Sequence, residues 1–230
     1  KQKVEQEIYE IENVDEINNK LKKELSSVEN KMKVLASQMN ELRMQSAKEL
    51  SKKINKELAE LEMPNAKFNV KIEFNMQNEF NKNGLDTVEF VISTNIGEQE
   101  KTLIKIASGG EMSRIMLGIK SVLADVDKVP VLIFDEIDTG ISGKAGNAVG
   151  EKLKTISKNH QVLCISHLAA IAASANYNYF ISKKVENERT ATKVKLLNEK
   201  EVLCEIARIS SGEVNEVTLQ YANELRKKVS

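Results

Sequence analysis

The sequence has few of the residues that mark specialised structural classes. Its 230 residues include no Trp, two Cys, two Pro and ten Gly. Two Cys cannot build a disulfide framework, and so little Gly and Pro excludes collagen-like and low-complexity chains. A chain that is 41% hydrophobic and 30% charged has enough apolar surface to form a core. We therefore expect one folded domain, or one domain with an appendage.

Net charge and long apolar runs are also missing. The 34 Lys and Arg balance the 34 Asp and Glu, so bulk charge gives no indication of a nucleic-acid or membrane partner. No apolar run approaches the roughly 20 residues that span a bilayer, and the polar start lacks a signal-peptide core. Cys164 lies in an apolar run and Cys204 in a helical one, which predicts reduced, buried thiols. These features predict a soluble, cytoplasmic protein without a membrane partner.

The first quarter of the chain differs from the remainder. Residues 1–62 contain no Gly, no Pro and a single aromatic residue. We predict that they form a coiled-coil arm, whose seam needs a partner strand from another chain or from another part of the polypeptide. A long solvated single helix is the alternative. The apolar residues that recur at spacings of four and three are Leu21, Leu25, Val28, Met32, Leu35, Met39 and Leu42.

Residues 63–230 are predicted to form a separate α/β domain. Pro64 is expected to end the first helix, and strand-like patterns follow it. Two continuous apolar runs, 131–134 and 162–165, are typical of strands inside a parallel sheet covered by helices on both faces. We therefore predict an α/β fold with a mainly parallel sheet. The other predicted strands are 68–74, 88–94, 179–183 and 192–197, and the predicted helices are 111–126, 144–157, 201–209 and 213–228.

A candidate phosphate-binding turn precedes the helix predicted at 111–126. Ser108 can cap this helix, and Gly109 and Gly110 let backbone N–H groups approach a phosphate at the positive end of the helix dipole. Because Ser and Gly are common at helix starts, a simple capped loop explains Ser108-Gly109-Gly110-Glu111 about equally well.

An acidic pair follows the apolar strand 131–134. Asp135 and Glu136 lie at the carboxyl end of this strand, where parallel α/β sheets bind ligands. Because adjacent strand residues point in opposite directions, we expect one carboxylate to support Mg²⁺ and the other to polarise a water molecule. The alternative is a strand that runs into a polar turn.

Three further polar residues lie near the ends of these two apolar strands. Asp138 lies in the turn directly after the acidic pair, and His167 follows the second apolar strand. His167 is therefore predicted at the same edge of the sheet, where it could contact a γ-phosphate, although a single His at a strand end is more often structural. His160, in a polar connection, is interpreted as a surface residue.

Together these segments resemble an ATP-binding-cassette (ABC) ATPase, with 108–111 similar to its signature motif and 135–136 to its Walker B motif. Asp138 then matches the D-loop and His167 the switch histidine. Residues from about 60 to 225 resemble, more narrowly, the carboxyl half of the RecN family, bacterial SMC-like DNA repair ATPases. This narrower resemblance rests on the strings Met63–Ala66, Phe90–Asn95, Ala107–Arg114, Ile133–Gly143 and Ser166–Leu168.

The resemblance implies the carboxyl-terminal lobe of an ABC-type head, with ATP and Mg²⁺ as cofactors. It implies that Asp135 assists Mg²⁺, that Glu136 activates the attacking water and that His167 senses the γ-phosphate. The resemblance also implies a homodimer of heads that reaches DNA through the full assembly at the nucleoid. The residues that it assigns to cofactor binding, the first three of them toward ATP held by the opposite head, are Ser108, Gly109, Gly110, Glu111 and Asp138.

The phosphate-binding Walker A loop is missing. No Gly-x-x-x-x-Gly-Lys-[Ser/Thr] occurs, and the single Gly-Lys pair, Gly143-Lys144, is followed by Ala. The resemblance implies that this loop lies in an amino-terminal half, so we expect the present chain alone to be inactive. Two alternatives remain: a head fragment of another chromosome-organising SMC- or Rad-type ATPase, and a non-enzymatic coiled-coil interaction module.

Overall fold

A computed structural model describes residues 3–5, 8, 9, 13–77, 80–106, 108–186 and 189–229. The chain forms two compact units. The first unit contains Lys1–Glu49 and Asn69–Phe90, and the second contains Leu50–Phe68 and Val91–Ser230. The predicted boundary between residues 62 and 63 stays a prediction.

The predicted long helix is present as α1, which spans Val14–Glu60. Its 47 residues extend about 70 Å at 1.5 Å per residue. Helix α1 ends four residues before Pro64, and Glu62 in the following turn has a left-handed φ of 59°. Of the predicted arm, residues 1, 2, 6, 7 and 10–12 lie outside the described residues. The predicted seam is exposed at Leu21, Leu25, Val28, Met32, Leu35 and Leu42.

In the first unit, the connection between strands β1 (Lys67–Phe74) and β2 (Asp86–Ser93) packs against α1. The carboxylate of Asp86 is fully buried. It accepts hydrogen bonds from Nη1 of Arg43 at 2.6 Å and from Nδ2 of Asn40 at 2.8 Å. Arg43 also donates to the carbonyl oxygen of Asn83 at 2.8 Å. This polar cluster fixes the register of the connection along the helix.

The centre of the second unit is a parallel β-α-β arrangement. Strand β4 (Val131–Phe134) pairs with β5 (Gln161–Cys164) from Val131↔Gln161 to Phe134↔Cys164. Helix α3 (Gly143–Ile156) makes the crossover that parallel neighbours need. One face of the pair enters the main core, which contains Leu61, Leu117, Leu132, Phe134, Ile137, Val149, Leu153, Ile156 and Ile171.

The second unit contains further strands and helices. Strand β3 (Lys101–Thr102) pairs with β2, and β6 (Tyr179–Glu186) pairs with β7 (Arg189–Leu196). A second core cluster forms among α4 (Ala169–Ser174), α5 (Glu199–Ser211) and α6 (Glu216–Val229). Helix α5 begins with a capping box between Asn198 and Glu201 and ends at Gly212, whose φ is 81°. The remaining helix, α2, spans Gly109–Leu123.

The predicted mainly parallel sheet is wrong for the described residues. Strands β4 and β5 are parallel, but β2–β3 and β6–β7 are antiparallel. The cause is the connections: a parallel pair needs a long crossover, whereas two residues separate β6 from β7. The predicted cover on both faces is also not observed, since the second face of β4–β5 is exposed at Val131, Ile133, Leu163 and Ile165.

Two predictions about single residues are also wrong. His160 is buried, with 7% of its surface exposed, and its Nδ1 lies 2.7 Å from the carbonyl oxygen of Val129. Because a carbonyl only accepts, Nδ1 carries the proton of this bond, which ties the start of β5 to the segment before β4. Cys204 is exposed rather than buried. It lies on α5 between the buried residues Val202 and Ile206, so the helical period turns it away from the core.

The buried cluster in the first unit generates a stability prediction. Replacing Asp86 by Ala removes the acceptor shared by Arg43 and Asn40, so we expect the free energy of unfolding to fall by about 2 kcal/mol. Urea denaturation measures this change. The control is Lys56→Ala, which removes an exposed pair with Glu60 at 3.9 Å and should cost less than about 0.5 kcal/mol. Equal losses in the two variants would contradict this account of the cluster.

Candidate functional site

The turn at 108–111 is the start of helix α2. Ser108 is the N-cap, with extended backbone, and its Oγ accepts a hydrogen bond from the N–H of Glu111 at 3.4 Å. Ser108 and Gly109 are exposed, so the positive end of the helix dipole is accessible to an anion. Ala107, the preceding residue, lies outside the described residues.

The acidic pair lies in an irregular loop directly after β4. Asp135 and Glu136 are both exposed, and the N–H of Glu136 donates to Oδ1 of Asp135 at 2.9 Å. Glu136 has a φ of 54°, in the left-handed region. For a residue with a side chain this conformation costs about 1–2 kcal/mol, so neighbouring contacts must hold it.

The glycines of α2 lie directly against this acidic loop. A Cβ on Gly109 would lie 2.7 Å from Oε2 of Glu136. A Cβ on Gly110 would lie 2.9 Å from Cβ of Thr139 and 3.0 Å from the carbonyl oxygen of Glu136. The predicted phosphate turn and the predicted acidic pair therefore meet within one chain. Their contact requires glycine at position 110, where backbone would block any side chain.

Two residues of α2 that sequence reasoning missed bind the same loop. Oγ of Ser113 donates to the carbonyl oxygen of Asp135 at 2.7 Å. Nη1 of Arg114 donates to the carbonyl oxygens of Ile137 at 3.2 Å and Thr139 at 2.8 Å. Arg114 could have been identified because it is a charged residue beside Ile115, Leu117 and Gly118, on the buried face of α2.

The guanidinium of Arg114 is unusual in its surroundings. Only 6% of this residue is exposed, and its Nε has no hydrogen-bond partner. Burial lowers the pKa of Arg114, and the negative charge of Glu111 partly opposes this shift. The guanidinium stays protonated at neutral pH because its ordinary pKa is so high. Its charge is therefore directed at backbone carbonyl groups rather than at a carboxylate.

Asp138 and His167, which follow different strands, are brought together. Asp138 is 2% exposed, and its Oδ2 accepts hydrogen bonds from Oγ of Ser166 at 2.5 Å and from the N–H of His167 at 2.6 Å. Nδ1 of His167 lies 3.0 Å from the same oxygen, while the histidine side chain is exposed. Because a carboxylate accepts, the imidazole proton lies on Nδ1, which leaves Nε2 for a ligand.

These positions suit a magnesium–phosphate ligand only in part. Asp135 offers an exposed carboxylate oxygen, the ligand type that Mg²⁺ prefers. In the described parts of the chain, no three His, Cys, Asp or Glu residues cluster as a metal site. Further ligands for a cation would therefore come from phosphate oxygens, water or another polypeptide segment. The residues present fit one side of such a site.

The fold is similar to part of an SMC head domain. The chain is similar to the Smc head domain with an extended coiled coil from Pyrococcus furiosus, with a TM-score of 0.52, 20% identity and coverage of 84% of this chain and 46% of that one. A second similar structure is the Smc head domain with a coiled coil and joint from Pyrococcus yayanosii, with a TM-score of 0.51, 19% identity and coverage of 74% and 30%.

Sequence similarity narrows this class. The chain is 41% identical to DNA repair protein RecN from Bacillus subtilis over 239 residues, which covers 98% of this chain and 42% of that protein. It is 37% identical to RecN from Haemophilus influenzae over 195 residues, or 84% and 35% of the two chains. No protein-family model matches the chain. Over nearly its whole length the chain is similar to the carboxyl-terminal portion of RecN, and the predicted resemblance is confirmed.

The chain spans less than half the length of the curated relatives named above. In the parts of the chain that the structure describes, no helix is long and apolar enough to cross a bilayer.

The site also predicts unequal reactivity of the two thiols. Burial, with the negative charges of Asp138 and Asp135, raises the pKa of Cys164 to about 12, so roughly one molecule in 10⁴ carries its thiolate at pH 8. We expect a disulfide reagent to modify the exposed Cys204 rapidly at pH 8 and Cys164 only after unfolding. Absorbance of the released thiolate should count one thiol in the native protein and two in urea.

The control for thiol counting is Cys204→Ser, which should abolish the native-state reaction. A native protein that releases two equivalents at the same rate would contradict the described environment of Cys164.

Proposed function

We propose that this chain is the carboxyl-terminal half of an ATP-hydrolysing head that acts in DNA double-strand break repair. The observation that carries the proposal is the contact between the first turns of α2 and the loop 135–139, which joins a signature-like turn to a Walker B-like acidic pair. The similarity to RecN supports this assignment. The missing Walker A motif supports a second polypeptide half that binds the phosphates.

The uncovered face of the β4–β5 pair supports the same division. Val131, Ile133, Leu163 and Ile165 are exposed on one face, and 67% of Ile133 is accessible. Parallel strands are normally buried on both faces, so an apolar surface of this kind requires a cover. We propose that the amino-terminal portion of the same protein covers it. The relative from Bacillus subtilis extends well beyond the 42% that this chain matches.

The β6–β7 hairpin presents a second uncovered apolar face. Tyr179 lies opposite Leu196, and Ile181 lies opposite Val194, so the four side chains share one face of the antiparallel pair. All four are exposed. A two-stranded sheet is marginal without a cover for its apolar face, and the same amino-terminal portion is the proposed occupant.

In the assembled site, each residue of this chain has a separate proposed role. ATP with Mg²⁺ would supply the phosphoryl group and the cation that neutralises its charge. Asp135 would hold the cation, and Glu136 would orient and deprotonate the attacking water. His167 would donate from Nε2 to the γ-phosphate in its imidazolium form, in which Nδ1–H stays bonded to Asp138, and Asp138 would hold the histidine loop in place.

The exposed start of α2 is proposed to serve a different nucleotide. Ser108 and Gly109 would bind ATP held by a second head, so two ATP molecules would join a homodimer. The exposed seam of α1 would pair with the other strand of the coiled coil. Head closure would then move these arms on DNA at the cytoplasmic nucleoid.

The division of the head generates the first functional prediction. This chain alone should neither bind ATP at micromolar concentration nor hydrolyse it, because it lacks the phosphate loop. Addition of the amino-terminal portion should produce both activities, measured by nucleotide titration and phosphate release. Steady turnover by the pure single chain would contradict the divided head. Failure of the assembled halves to bind ATP would favour a non-enzymatic coiled-coil module.

The second functional prediction separates chemistry from binding. In the assembled head, Glu136→Gln keeps the shape of the side chain and removes the base, so turnover should fall by roughly 10² or more. The affinity for ATP should stay within about threefold. Equal, modest losses of both quantities would mean that Glu136 is structural.

Two contrasting variants sharpen the assignment. Asp135→Asn should weaken nucleotide binding that depends on Mg²⁺, because it removes charge from the cation ligand. Ser108→Arg should spare ATP binding by one head and block ATP-dependent pairing of two, as measured by light scattering. If Glu136→Gln, Asp135→Asn and Ser108→Arg changed turnover, ATP binding and pairing in the same way, the separate roles proposed for these residues would be wrong.

A further inference from the structure

We propose that Arg114, together with Ser113, is a positioning residue that holds Glu136 in its catalytic conformation and links it to the first turn of α2. The inference rests on the proposed function of Glu136. It adds a mechanical connection between the turn that would meet the second head and the loop that would activate water.

The hydrogen bonds from α2 reach alternate carbonyl groups of the acidic loop. Ser113 binds the carbonyl oxygen of Asp135, and Arg114 binds those of Ile137 and Thr139. The carbonyl oxygen of Glu136 accepts the N–H of Thr139 at 3.0 Å. The backbone on both sides of Glu136 is therefore held, and this explains how its left-handed φ of 54° persists.

The environment of Arg114 is not that of a stabilising ion pair. Among the described residues, no carboxylate lies within ion-pair distance of its guanidinium, and its Nε is buried without a partner. Burying a charge without a paired carboxylate is costly, and the hydrogen bonds from Arg114 to the carbonyl oxygens of Ile137 and Thr139 offset part of that cost. The geometry of its donors is therefore the property that a functional role would use.

Helix α2 carries the signature-like turn and the loop-binding residues within its first two turns. Ser108 and Gly109 are exposed at the start, whereas Gly110, Ser113 and Arg114 contact the acidic loop. A helix is rigid over this distance. A displacement of its first turn on contact with nucleotide would therefore also move the loop that contains Glu136. Arg114 would thereby couple the pairing of heads to hydrolysis.

The test uses three variants of the full-length protein. Arg114→Lys keeps the charge but ends one atom short of Nη1, the nitrogen that serves both carbonyl oxygens, and Arg114→Met removes every donor. Ser113→Ala removes a single hydroxyl and serves if an Arg114 variant folds poorly. The matched control is Arg208→Lys, since Arg208 is exposed and pairs with Glu205. Each variant is assayed for turnover, ATP affinity, ATP-dependent pairing and melting temperature.

We expect Arg114→Lys and Arg114→Met to lower turnover at least about tenfold while ATP affinity and pairing stay within about threefold of wild type. Ser113→Ala should show the same split with a smaller loss, and Arg208→Lys should show none. In the Glu136→Gln background, Arg114→Lys should cause no further loss of residual turnover, because both changes remove the same water activation.

Three results would overturn the inference. They are unchanged turnover in the Arg114 and Ser113 variants, equal losses of turnover and binding in well-folded protein, and additive losses in the double variant. These results are distinguishable from failure of the proposed function. If the wild type hydrolyses ATP and Glu136→Gln does not, the proposed function stands whatever the Arg114 variants do. If the wild type has no turnover, both ideas fail.

Discussion

The contact between helix α2 and the loop after β4 is the constraint on which the rest of the candidate site depends. It is made by glycines that admit the loop backbone and by two donors that bind its carbonyl groups. The loop in turn leads to Asp138, whose buried carboxylate holds the segment around His167. Residues 108, 136 and 167, far apart in sequence, thus become parts of one hydrogen-bonded arrangement.

This arrangement lies beside a sheet that is covered on only one face. Strands β4 and β5 carry the acidic loop and the histidine loop at their carboxyl ends. Their inner face packs in the main core, whereas their outer face is apolar and exposed. A site at such an edge would be unsupported on one side. The proposed amino-terminal half would complete both the sheet layer and the phosphate-binding side of the site.

Much of the fold could be predicted because the patterns are local. The apolar run 131–134 is a strand with the predicted bounds, and the a/d repeat of 21–42 lies on one continuous helix. The direction of the strands could not be predicted in this way, because the hydrophobic period of β6 or β7 does not encode their antiparallel pairing. The short α4 was missed because six residues, mostly Ala, carry no clear period.

The candidate site could likewise be predicted only where its residues follow from local patterns. Ser108, Glu136 and His167 were predicted from their places at element ends, which the period of the sequence reveals. The bonds of Ser113 and Arg114, the left-handed backbone of Glu136 and the burial of Asp138 depend on tertiary contacts that no short pattern encodes. His160 and Cys204 were misassigned for the same reason, because exposure is a property of the packed chain.

The most direct test of the divided head is amide hydrogen exchange of this chain with and without the amino-terminal portion of the protein. The account predicts that exchange in β4 and β5 slows at least about tenfold when the two parts are mixed, because the exposed sheet face and strand edges become covered. Helix α5 serves as the internal reference. Unchanged exchange in both strands, in a mixture shown to form a complex, would contradict the claim that this sheet is completed by the other half.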